Sequence, residues 1–253
     1  MHGASHAGTV RAVAVHPLQP PFQVERVAAT ECPQTVAFIA LHNDYAEAFS
    51  PATTLDEAQC GDICVERLLK GNRGHFGPAE HAYMTLIMQA DHNTIMQLRT
   101  HRLGSFDVQS MRYTGKRIEK VANGELQPED VFYVRPPGKY RDRQGDPYVW
   151  TQEDADDQLA LAVSSAMDYA RLREKGVSEE QARGVLMTSY FQNAVVSFNL
   201  RGWLHLLDIR LKSDAQFEIR SLMELVALQV QRWAPEVYGW WAQHRRGKAI
   251  LAP

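Results

Sequence analysis

The sequence predicts a soluble, single-domain globular protein assembled largely from amphipathic helices, with one segment, 79–88, that reads equally as a helix or a buried strand. Two observations carry this. In 253 residues, 45% hydrophobic and 23% charged side chains are the proportions of an ordinary folded domain. A chain of that length buries roughly 70–75% of the surface its unfolded form exposes. Apolar residues also recur at helical spacing along much of the chain, with no internal repeat or low-complexity stretch to divide it.

Taken in order, residues 1–23 form an N-terminal extension whose prolines and glycines suit a tail or an edge strand. It lacks the basic start and apolar core of an export signal. The domain proper is 24–253. Val36, Phe38, Ile39, Leu41, Tyr45 and Phe49 predict a helix over 35–49, closed by Pro51, and a second helix over 55–69 ends at Gly71. In 94–102, Ile95, Met96 and Leu98 alternate with Gln97, Arg99, His101 and Arg102, which brings polar groups onto an apolar element. Pro136, Pro137 and Gly138 lie at the centre of 116–155, read as a loop excursion on the surface of the domain. A helix over 156–175 has Gly176 as its C-cap. Ser178-x-x-Gln181 resembles a capping box opening a long helix, 182–208, and an amphipathic helix, 215–233, stops before Pro235.

Several function classes drop out. The formal charge of −3 gives no support to a protein whose whole surface binds nucleic acid, so any anion site is local. No apolar run approaches the ~20 residues of a membrane span. Cys32, Cys60 and Cys64 are odd in number and not in Cys-x-x-Cys spacing, which predicts reduced, buried thiols in a cytoplasmic protein and no metal site.

Arginines inside apolar contexts are the strongest chemical signal. Arg102, Arg112, Arg183, Arg201 and Arg210 outnumber the acids near them in sequence, and Glu80, Asp107, Asp208 and Glu218 are the candidate ion-pair partners for a purely structural account. An anionic ligand with phosphate is the natural missing partner. Arg201 and His205, spaced i,i+4, share one helix face, with Asn199 and Arg210 at its ends. Ser110 and Arg112, spaced i,i+2, would point the same way from an extended chain. There is no Walker loop and no G-x-G-x-x-G, so a dinucleotide would bind without a Rossmann domain.

These residues resemble the flavin-dependent thymidylate synthases. Their Arg-His-Arg, seven residues, Ser signature is met by His101, Arg102, Ser110, Arg112 and Tyr113, with Thr100 in place of the first arginine and Val108 where a glutamate is common. The resemblance continues through His75, Glu80, His81 and Gln97, then Arg183, then Asn199, Arg201, His205 and Arg210. It ends in Ala215-Gln216-Phe217-Glu218-Ile219 and covers roughly residues 24 to 240.

The resemblance implies an α/β subunit of α+β type, with a central antiparallel sheet flanked by helices, assembled as a homotetramer with active sites between subunits. It implies conversion of dUMP to dTMP, with methylenetetrahydrofolate as carbon donor and NADPH-reduced FAD as hydride source, and no cysteine nucleophile. By the same carry-over Gln97, Ser110, Arg112, Arg183 and Arg210 hold dUMP, with Arg210 at the pyrimidine carbonyl. His75, Glu80, His101, Arg102, Asn199, Arg201 and His205 line the FAD site. His81 and His92 are read as ordinary core or surface histidines. Two other readings stay open: a flavin- or nucleotide-binding protein that has kept the fold and lost turnover, and another flavoenzyme acting on a uracil-containing substrate.

Overall fold

The computed structural model describes residues 20–72, 75–142 and 144–248. Most of the expected extension therefore lies outside the described residues, and the fold begins with strand β1, Gln23–Ala29.

A four-stranded, wholly antiparallel sheet forms the centre, in the order β1, β2 (Tyr83–Asp91), β6 (Phe191–Asn199), β3 (Ser105–Val108). The ambiguous segment is strand β2, Tyr83–Asp91: Met84, Leu86, Met88 and Ala90 are buried while residues between them face outward, the period of two that defines a half-buried strand. The expected helix over 182–208 is corrected. Its middle is strand β6, Phe191–Asn199, paired with β2 from Tyr83↔Asn199 to Asp91↔Phe191. Gln192, Ala194, Val196 and Phe198 point inward, Asn193, Val195 and Ser197 outward, and the adjacent valines favour a pleated backbone over a helix.

Both central strands turn directly into helices. Asp91 ends β2 and caps α3, His92–Leu98, by accepting from the Thr94 amide and hydroxyl. Asn199 ends β6 and caps α7, Leu200–Arg210, its Oδ1 accepting from the Gly202 amide at 2.8 Å. Helices α7 and α8, Phe217–Trp233, cover the inner face of the sheet, where Trp203 is fully buried and donates to the Met84 carbonyl at 3.2 Å. Helix α9, Pro235–His244, follows at once, because a proline at a first helical turn starts a helix as readily as it ends the one before.

At the N-terminal side, α1 is Pro33–Asn43 and stops short of the expected 49. Helix α2, Glu57–Cys64, is opened by a reciprocal Asp56–Gln59 capping box and passes into a π-turn over Val65–Leu69. Gly71, at φ 79°, ends it as expected.

The stretch 116–155 is not a loop excursion. Following strand β3, Ser105–Val108, it contains helix α4, Lys116–Ala122, and a hairpin of β4, Gly138–Arg141, with β5, Pro147–Trp150. Ile118, Val121, Val131 and Phe132 pack with Ala166 and Tyr169 of α5, Gln152–Glu174, into a second hydrophobic cluster. Gly115 is required there: a Cβ would lie 1.9 Å from the Tyr169 hydroxyl oxygen. Gly176, at φ 81°, closes α5 as expected. The Ser178 capping box does not form; Ser178 makes no side-chain cap bond, and α6, Glu179–Ala182, is a single turn.

Candidate functional site

Helix α7 organises the site because its two ends carry different groups. At its C-terminal end Arg210 reaches the end of α3, where Nε donates to His101 Nε2 at 3.0 Å and one Nη donates to the Thr100 hydroxyl at 3.2 Å and the Gln97 carbonyl at 3.4 Å. All three acceptors are neutral, and Arg210 has no ion pair among the described residues. Thr100, standing where the signature has an arginine, donates to the Gln97 carbonyl at 2.7 Å and so ties the Arg210 contact to the end of α3.

His101 lies against His205, ring centroids 6.3 Å apart. Burial first, then the Arg210 charge and His205, lower the His101 pKa to about 4. Because Nε2 accepts from Arg210, the single ring proton sits on Nδ1. The folded value lies below the ordinary 6.5, so the unfolded chain takes the proton first. This contribution to stability is complete above about pH 6.5 and is lost as pH falls toward 4. We expect His101 ring resonances to stay flat from about pH 8 to about pH 5 in a histidine NMR titration, and Arg210→Ala to raise the midpoint. A His101 midpoint near 6.5 in the wild type would contradict this geometry.

At the N-terminal end of α7, Arg201 pairs with Glu80 and lies over the Phe76 ring, 5.9 Å from its centroid. His75 is nearby in sequence but turned outward, its Nε2 2.8 Å from Asp44 Oδ2. Arg102 is exposed in the turn after α3.

Ser110, Arg112 and Arg183 stand elsewhere, beside the second hydrophobic cluster. The extended arrangement expected for Ser110 and Arg112 is corrected: β3 ends at Val108 and the chain turns, with the Arg112 and Tyr113 amides bonding back to Ser110. Arg112 pairs with Glu180 of α6 at 2.5 Å, and Arg183 is exposed in the following 3-10 turn. His92 is an ordinary hydrogen-bonded histidine, 2.7 Å from Gln192 Oε1.

Two parts of the site were missed at the sequence level. Gln97 donates its side-chain amide to Gln216, which in turn donates to Glu218 Oε2 at 2.8 Å. Arg135, inside the supposed excursion, grips Glu218 with two bonds of 2.7 and 2.9 Å. The Ala215–Ile219 motif was the available signal for the first; nothing local marks Arg135. An open pocket of about 550 Å³ lies at the exposed end of this chain of side chains, lined by Asn93, Met96, Gln97, Thr100 and Gln216. Among the described residues no His, Cys, Asp and Glu cluster could hold a metal, and no helix is long and apolar enough to cross a membrane.

The profile of the thymidylate synthase complementing protein family matches residues 26–236. A flavin-dependent thymidylate synthase of Halobacterium salinarum is 33% identical over 246 residues, covering 91% of this chain and 100% of that protein. One of Haloarcula marismortui is 32% identical, over 91% of this chain and 99% of its own. The crystal structure of the UMP/dUMP methylase PolB from Streptomyces cacaoi, bound with 5-Br dUMP, superposes with a TM-score of 0.69 at 21% identity. It covers 93% of this chain and 99% of that one, a likeness of fold.

Proposed function

The chain belongs to the flavin-dependent thymidylate synthases, and from that premise we propose that it converts dUMP to dTMP, with methylenetetrahydrofolate as carbon donor and NADPH as reductant. The observation that carries this reading is Arg210, a partly buried guanidinium whose acceptors are all neutral. A pyrimidine carbonyl that carries negative, enolate-like charge while C5 is activated to attack the incoming carbon is the anionic partner it lacks.

Ser110, Arg112 and Arg183 hold the phosphate of dUMP, Gln97 and Arg210 its base. Arginines suit both tasks because their charge does not titrate and their donors fork. These residues stand on two separate hydrophobic clusters, Gln97 and Arg210 at α3 and α7, Arg183 beside α5, which supports assembly as a homotetramer with each site completed by a neighbouring subunit. Three free thiols support a reducing, cytoplasmic setting.

FAD fits the remaining donor set. Its diphosphate suits Arg102, Arg201 and the amide-rich start of α7, and His205, His101 and His75 offer ring contacts, with Asn199 and Glu80 fixing α7 and Arg201 in place. Bound and reduced, the flavin supplies the hydride. Neutral His101 keeps Arg210 oriented without adding a competing charge.

No cysteine takes part. Of the three thiols expected to be buried, Cys60 and Cys64 are, while Cys32 is exposed; Cys64 donates weakly to the Gln34 carbonyl, and burial pushes its thiol up to about 12. A thiol reagent should label Cys32 alone in the native protein, and the triple Cys32→Ala, Cys60→Ala, Cys64→Ala variant should still form dTMP once folded. Loss of turnover in a folded, flavin-loaded triple variant would overturn the mechanism.

The whole reading is tested by purifying the protein, recording its flavin absorbance and measuring dUMP-dependent release of tritium from the pyrimidine 5-position. Yellow protein that releases tritium and forms dTMP supports it. Yellow protein that binds dUMP without tritium release would identify a fold that has lost turnover.

A further inference from the structure

We infer that Gln216 and Glu218 are positioning residues that decide which end of the Gln97 side-chain amide faces the nucleotide, and through it select uracil over cytosine. The inference rests on the reading that this pocket takes dUMP. It starts from the buried end of a chain of four side chains.

Glu218 is 3% exposed in the first turn of α8. The Arg135 guanidinium holds both its oxygens, and the Tyr133 hydroxyl donates to Oε1 at 3.1 Å. A carboxylate held by a guanidinium can only accept, so the Gln216 amide must turn its NH₂ toward it, as observed at 2.8 Å. That leaves Gln216 Oε1 pointing away from α8, where it accepts from Gln97 Nε2. One N–H of Gln97 is thereby committed and its amide held in one orientation, so its side-chain carbonyl oxygen is the end turned from Gln216 and left to serve the pocket that Gln97 and Thr100 line, Thr100 being the residue whose hydroxyl accepts from Arg210.

Each amide in this relay could run either way by itself; the carboxylate at one end gives all of them a single direction. A carbonyl oxygen repels phosphate and accepts from an N–H. Uracil carries a hydrogen on N3, whereas cytosine presents a bare acceptor there, so the same contact that holds one base leaves two opposed lone pairs with the other. An unmade hydrogen bond at a desolvated contact corresponds to roughly ten- to a hundredfold in affinity.

The test uses the FAD-loaded full chain, with dissociation constants for dUMP and dCMP by calorimetry, KM and kcat for dTMP formation, and melting temperature. Gln216→Met keeps the length of a side chain that is exposed and removes its hydrogen bonds, so it should fold like the wild type. It should weaken dUMP about tenfold, narrow the dUMP to dCMP ratio by about tenfold or more, and raise KM far more than it lowers kcat. Glu218→Gln, whose amide can donate, should narrow the same ratio by permitting the reversed direction. A Gln216→Met protein with the wild-type ratio would overturn the inference, as would a wild type that binds dCMP as well as dUMP. A wild type that prefers dUMP but forms no dTMP would instead sink the proposed function, leaving the relay to be judged on the binding ratio alone.

Discussion

Arg210→Ala is expected to lose about 10²–10³ in the rate of dTMP formation, the usual cost of removing one preorganised charge donor. The residue is poised for this. Its side chain spans from the end of α7 to His101, Thr100 and the Gln97 carbonyl, so the guanidinium is oriented before substrate arrives. Burial lowers its pKa, yet an arginine so placed remains charged at neutral pH. Alanine also strips His101 of its donor, so the local field changes from cationic to neutral. Arg210→Lys should recover little, because one ammonium cannot make three divergent contacts from that position. Flavin content, measured by absorbance after gel filtration, should stay near wild type, since Asn199, Arg201 and Glu80 of the FAD site lie at the other end of α7 and the His101 ring is kept. Single-turnover rates near wild type in a flavin-loaded Arg210→Ala protein would remove this residue from the chemical step.

The helix that carries Arg201, His205 and Arg210 was more legible than the strands for a physical reason. Arg201, His205 and Arg210 sit within one helical stretch, so their spacing alone places them, and the pairing of Arg201 with Glu80 was among the ion pairs that the composition offered. Strand β6 was not legible. Ala194, Val195, Val196 and Phe198 satisfy a helical period nearly as well as a strand period, and only pairing with β2 decides between them. In 116–155 the prolines and glycine do mark a turn, leading into the β4–β5 hairpin, but the burial of Ile118 and Val121 depends on α5, about 45 residues on. The Glu218–Arg135 grip spans 83 positions, and no local pattern could announce it. Glu218 and Asp208, two of the acids offered as partners for the five site arginines, pair with Arg135 and Arg245 instead.

That last pair underlies the largest stability effect we expect. Asp208 lies on α7 two positions before Arg210, on the side turned into the core, its side chain 0% exposed and that of Arg245 4%. Oδ2 is 3.2 Å from the Arg245 guanidinium, and Oδ1 accepts from the Trp241 indole at 2.7 Å. Asp208→Ala would leave a buried guanidinium and an indole N–H without this carboxylate, an expected loss of about 3–5 kcal/mol by urea denaturation. The double variant Asp208→Leu, Arg245→Met removes both charges at similar volume and should recover most of that, with about 1–3 kcal/mol outstanding for the Trp241 N–H. Comparing the two separates bracing from chemistry. Asp208 is not among the groups that Arg210 touches, so a double variant that regains stability should regain dTMP formation. A single variant that loses less than about 1 kcal/mol would mean that water reaches Arg245 and that the pair does not brace α7.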